Sequence, residues 1–215
     1  MQDAVSQRPE APERASGRYF GFATRLRAEA PTLTECGVAT VSAVLLVFSF
    51  PDFNLSPLAW LALVPLLLII SRKPETWRCF LTGWLFGSIF FYGSCYWLTY
   101  SMIHFGGVPT PLAFIILVPG ALVMGLFPAA FAALLARALR SFGAAALFIG
   151  PVFWVALEWI RLETTGQLWN AVGYSQAYHP SLIQLASWGG VYAVSFIVVL
   201  VNAALAFALL KRTAK

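Results

Sequence analysis

The sequence predicts an all-α fold, a polytopic transmembrane helical bundle of about six spans with both termini cytoplasmic, and three observations carry that reading. Of the 215 residues 60% are hydrophobic and 11% charged, with a mean hydropathy of +0.76, whereas a soluble domain carries about 25% charged residues. The apolar residues fall in long continuous runs, as helices crossing a hydrocarbon layer about 30 Å thick require, and not in the short alternating segments of a β-barrel. The basic residues lie almost entirely on one side of the layer those runs define.

Six runs occur, at roughly 34–50, 56–71, 79–100, 110–138, 143–161 and 187–210. The first two are separated by FPDFNLSP, whose prolines and Asp52 predict a tight helical hairpin. The second run, SPLAWLALVPLLLIIS, reaches only about 24 Å at 1.5 Å per residue. The fourth is longer than a span needs, and Pro119-Gly120 and Pro128 inside it predict kinking or tilt. With the N-terminus cytoplasmic, all 14 basic residues except Arg161 fall in inner segments. The net charge of +5 is thereby read as a topology signal and not as a nucleic-acid surface.

Three regions follow: a basic, disordered cytoplasmic tail over 1–32, the bundle over 33–212, and a cytoplasmic end at 213–215. The tail is rich in Pro, Ala and Arg and lacks the apolar core of a signal peptide. Its GRYFGFATRLR segment suits the anionic inner leaflet. Cys36, Cys79 and Cys95 have neither metal-ligand spacing nor a disulfide framework, and His104 and His179 stand far apart in sequence. No metal and no cofactor is expected.

Polar chemistry gathers in EWIRLETTGQLWNAVGYSQ, residues 158–176, at the outer edge of the fifth run. Glu158 and Arg161 are three apart on one helical face and are expected to pair there, because an unpaired charge near hydrocarbon is costly. Trp154, Trp159, Trp169, Tyr174, Tyr178 and Trp188 surround the loop, which two readings fit. One is an interfacial aromatic belt. The other is a lipid-facing vestibule in which Arg161 attracts a phosphate or carboxylate while Trp169, Asn170, Tyr174, Ser175 and Gln176 supply hydrogen bonds beside an apolar mouth. A second outer element, YSMIHFGGVPTP, adds His104 and the Gly106-Gly107 turn.

Five pieces in register, FPDFNLSPLAWLALVPLLL (50–68), GWLFGSIFFYGSCYWLTYSMIHFGGVPTPLA (83–113), WVALEWIR (154–161), LWNAVGYSQ (168–176) and LIQLASWGGVYAVSFIVVLVNAALA (182–206), resemble the membrane domain of bacterial apolipoprotein N-acyltransferases. The resemblance implies an inner-membrane protein whose partners are membrane phospholipid, the acyl donor, and a diacylglyceryl lipoprotein, acylated on its N-terminal cysteine. It also implies that residues 158–176 line a lateral opening for lipid. Members of that family resemble an eight-helix bundle joined to a nitrilase-like domain that carries a Glu, a Lys and a Cys nucleophile. Here Lys73, Lys211 and Lys215 all fall on the inner side, so no outward Glu-Lys-Cys group can be built and no catalytic residue is assigned. The expectation is a truncated or split component that is not catalytic alone and partners a separate nitrilase-like domain. The alternative is a non-enzymatic lipid-binding or scaffold protein; a solute transporter ranks third.

Overall fold

The computed structural model describes residues 30–213. The expected tail over 1–32 therefore lies, apart from its last three residues, outside the described part. From Pro31 onward the described residues form one compact unit, all helical and without a strand. Helical stretches follow each of the six apolar runs, but most are interrupted, and the interruptions position the site.

Helix α1 (Leu33–Phe48) starts on a capping box in which Thr32 and Glu35 satisfy each other's backbone N–H groups. The predicted hairpin follows, turning through Asn54 at φ 53°. The second run is not one helix. It comprises a 3-10 turn (Ser56–Leu58), α2 (Ala59–Ala62) and α3 (Val64–Arg72), broken ahead of Pro65, which has no N–H to donate. Asn202 repairs this break from the far end of the chain. Its amide stands between Leu63 N–H and the Ala59 carbonyl, accepting from the first (2.9 Å) and donating to the second (2.8 Å). Ser42 donates to the Ala62 carbonyl beside it. Buried backbone groups that a break releases need such partners.

The third run divides into α4 (Thr76–Ser94) and the short α5 (Leu98–His104). In the fourth, the helix continues through Pro119, and the interruption falls at Gly125, between α6 (Thr110–Met124) and α7 (Leu126–Phe142). Pro128 explains the placement, because it cannot donate to the Met124 carbonyl four residues back. The fifth run begins with 3-10 turns (Gly143–Ile149) before α8 (Gly150–Thr165), which ends on Gly166 at φ 69°. The connecting loop holds a 3-10 turn (Val172–Gln176) and the one-turn α9 (Pro180–Ile183). The sixth run is α10 (Ala186–Thr213), bent by non-helical backbone at Gly189 and Gly190.

Helices α1, α4, α7, α8, α10 and α3 pack each against the next around a closed ring, while α6 lies outside against α4. The tightest seam is α4 on α7. A Cβ placed on Gly83 would sit 2.6 Å from the Pro128 carbonyl oxygen and 2.7 Å from Ala132 Cβ, so only glycine lets these backbones approach, as small residues do between apolar helices. Phe86, Phe90 and Phe131 fill the interior, with Trp154 edge-on to Phe131 at 4.9 Å. Two helical stretches, Thr110–Thr165 and Ala186–Thr213, are long and apolar enough to cross a membrane, and Leu33–Phe48 and Ser56–Arg72 are shorter apolar helices. The outer face of α6 exposes Leu112, Ile115, Ile116 and Val123, a surface that suits hydrocarbon better than water.

Candidate functional site

Glu158 and Arg161 occupy successive turns at the end of α8, and both are buried, at 5% and 3% exposure. The expected pair between them does not form: the ion pairs within 4.0 Å among the described residues are Arg78 with Glu35 and Arg78 with Glu75. Each of the two side chains turns instead to the following loop. Glu158 Oε1 accepts from Trp154 Nε1 and from the Val172 backbone N–H, both at 2.9 Å, while its second oxygen is buried without a hydrogen-bond partner. Arg161 donates from Nη1 to the Trp169 carbonyl, and its guanidinium lies 5.0 Å from the centre of the Phe91 ring. The physical reason is competition. A shared helical face permits an i,i+3 contact, but the loop brings backbone partners that lie inside the bundle and would otherwise be unsatisfied.

The loop is held in place by its amides. Asn170 adopts φ 58° and donates from Nδ2 to Ser94 Oγ (2.8 Å) and Cys95 Sγ (3.0 Å), joining the loop to the end of α4. Asn tolerates this left-handed backbone better than most residues. The turn it makes aims the preceding carbonyl, that of Trp169, at Arg161. The Trp169 ring meets Trp97 edge-on at 5.3 Å and is left half-exposed. Gly173 donates to Ser195 on α10 (2.8 Å), tying the next part of the loop down.

Other residues expected at the vestibule have different surroundings. Ser175 and Gln176 are buried and spend their hydrogen bonds internally: Ser175 on the Val172 carbonyl, and Gln176 on the Ser56 carbonyl and Ser175 Oγ. With the His179–Ser56 contact they staple the loop to the start of the second run. Tyr174 is exposed beside them. His104 is exposed on α5, stacked on Tyr100 at 3.9 Å and in contact with the Tyr100 carbonyl; no contact joins it to Arg161.

Two cavities meet at Arg161. One, of about 20 Å³, is lined by Phe90, Phe91, Phe131, Trp154, Glu158 and Arg161 among others, and has room for about one water. The other, of about 120 Å³, opens between α4, α5 and α6, with Phe91, Leu98, Leu117, Gly120 and Met124 as its apolar wall and Arg161, Gln167 and Trp169 at its polar side. Sequence reasoning missed the apolar wall. Leu117 and Met124 look like any spanning residues in sequence, and Gly120 reads there only as part of a kink.

An all-helical, apolar bundle with an apolar cavity bordered by a buried arginine defines the class. Residues 42–204 match the family model described as the apolipoprotein N-acyltransferase N-terminal domain, and the chain belongs to that family. It is 37% identical over 169 residues to an apolipoprotein N-acyltransferase of Geobacter metallireducens, covering 78% of this chain and 32% of the relative. Apolipoprotein N-acyltransferases of Coxiella burnetii (34% over 174 residues, 77% and 34% coverage) and Nitrosomonas europaea (36% over 173 residues, 79% and 33%) are similar. The chain thus spans about a third of the length of these relatives.

Proposed function

We propose that these residues form the multi-pass membrane domain of an apolipoprotein N-acyltransferase in the bacterial inner membrane. In this reading six spans cross the bilayer, both ends are cytoplasmic, and the domain admits a phospholipid acyl donor and a diacylglyceryl lipoprotein. The acyl transfer itself falls to a nitrilase-like domain outside these residues. The observation that carries the reading is the larger cavity: an apolar slot closed at its polar side by Arg161. That guanidinium keeps one hydrogen bond to a carbonyl, has no carboxylate within salt-bridge distance among the described residues, and so has donors to offer a phosphate or ester.

Supporting roles follow from the hydrogen bonds. Glu158 fixes the loop, Asn170 aims the Trp169 carbonyl at Arg161, and Trp169 flanks the mouth; Ser175 and Gln176 act by anchoring and not by touching lipid. The test is crosslinking of a photoactivatable phospholipid to the purified chain. Arg161→Ala and Trp169→Ala are expected to lower labelling several-fold, while Trp188→Ala, at a 90% exposed ring, leaves it unchanged. Equal labelling of all three would reduce the site to an aromatic belt. Topology has its own test. In a background with the native cysteines replaced, externally added thiol reagent is expected to reach cysteines at 167 and 179 and to spare 75 and 213. Labelling at 75 would overturn the six-span arrangement.

A further inference from the structure

The end of the bundle remote from residues 158–176 concentrates charge of one sign. Arg72 ends α3 and Lys73 caps it, α7 carries Arg137 and Arg140 in its final turns, and Lys211 and Arg212 lie near the end of α10. Among the described residues two carboxylates, Glu35 and Glu75, lie at this end, and both are engaged by Arg78, at 3.3 and 3.2 Å. Among the described residues no carboxylate pairs with Arg72, Lys73, Arg137 or Arg140. Arg140 donates to the Pro74 carbonyl (3.3 Å) and to Thr76 Oγ1 (2.6 Å). Those two bonds fasten the end of α7 to the turn between α3 and α4. They set Arg140 beside the turn that carries Lys73 and Trp77 as neighbours of Pro74 and Thr76, with Arg137 one helical turn back from Arg140. Trp77 is half-exposed and stacked on Phe80 at 5.3 Å, the arrangement of an indole at the headgroup level. Leu134, exposed on α7 one turn before Arg137, extends the patch with apolar surface.

We propose that this patch seats the headgroup of an anionic phospholipid, a phosphodiester that carries no compensating ammonium. Arg137 offers forked donors to phosphate oxygens, and Arg140 one turn away, with Nη1 and Nη2 each already holding one bond, adds its charge. Lys73 adds a point charge, and the exposed apolar residues give the acyl chains a surface to follow. Uncompensated cations at a membrane edge draw anionic lipid in this way. The inference rests on the membrane-spanning reading of the chain but is independent of the Arg161 cavity.

The test uses the full chain in micelles doped with equal amounts of phosphatidylglycerol and phosphatidylcholine, with retained lipid counted by native mass spectrometry. Wild type is expected to retain phosphatidylglycerol preferentially. Arg137→Gln and Lys73→Gln, whose side chains make no hydrogen bond within the described chain, should each reduce that preference about five-fold without unfolding the protein. Arg140→Gln should reduce it at least as much, and Trp188→Ala, at the opposite end of the bundle, should leave it intact. Equal retention of the two lipids by wild type, or full preference in both Arg137→Gln and Lys73→Gln, overturns the proposal. So does displacement of the lipid by millimolar glycerol 3-phosphate, which would mark a bare phosphate site, or loss of the preference in Trp188→Ala.

Discussion

Two buried arginines in this bundle are treated in opposite ways. Arg78, 9% exposed, lies between Glu35 and Glu75. Arg161, 3% exposed, has a carboxylate three residues away in sequence and is not paired with it. Glu158 is committed to Trp154 and Val172, and Arg161 to a carbonyl and the face of Phe91. An arginine neutralised by two acids is a fastener. One that is held by a single carbonyl beside a cavity keeps its charge available, at a cost in desolvation that the packing around it must offset.

The sharpest way to break this contrast is Glu158→Ala, which leaves the buried Trp154 and Val172 N–H groups without an acceptor. A loss on the order of 2–5 kcal/mol is expected from two unsatisfied donors, read as a lowered Tm in detergent. Glu158→Gln, which keeps an acceptor oxygen, should recover most of it. Next comes Arg78→Met. It strands the half-buried Glu35, but Glu75 is already half in solvent, so about 1–2 kcal/mol is expected in the same assay. Arg161→Lys should change stability by about 1 kcal/mol or less yet lower phospholipid crosslinking several-fold, because an ammonium lacks the forked donors. If crosslinking survives the lysine, charge alone suffices and the forked geometry is irrelevant. Smallest of all, Glu75→Gln should stay within about 0.5 kcal/mol of wild type.

The helices were legible from hydropathy because each apolar run is a local property of the chain. The breaks were less so. Pro65 stood in plain view, yet nothing near it announced that Asn202 would fill the gap it creates, and the Gly189-Gly190 bend lay inside a run read as continuous. At the site, the position of Glu158, Arg161, Trp169 and Asn170 around the end of one helix and its following loop was legible, but their partners were not. Local spacing predicted an ion pair, while the groups that prevailed, the Val172 N–H and the Trp169 carbonyl, are backbone atoms that every sequence contains. Ser175 and Gln176 show the same limit: a side chain that anchors a loop and one that meets a ligand look alike in sequence until its hydrogen bonds are known.

The amide of Asn202 also has a consequence in time. A chain inserted from its N-terminus would deliver the broken second run long before the residue that repairs it, which follows 139 positions after Leu63. At about 5–20 residues per second of synthesis, the Leu63 N–H and Ala59 carbonyl would wait roughly seven to thirty seconds for their permanent partner. During that interval the first hairpin is an unfinished object. Until then those two groups, four residues apart, can bond to each other as in an unbroken helix, and the arrival of α10 opens that turn and closes the ring.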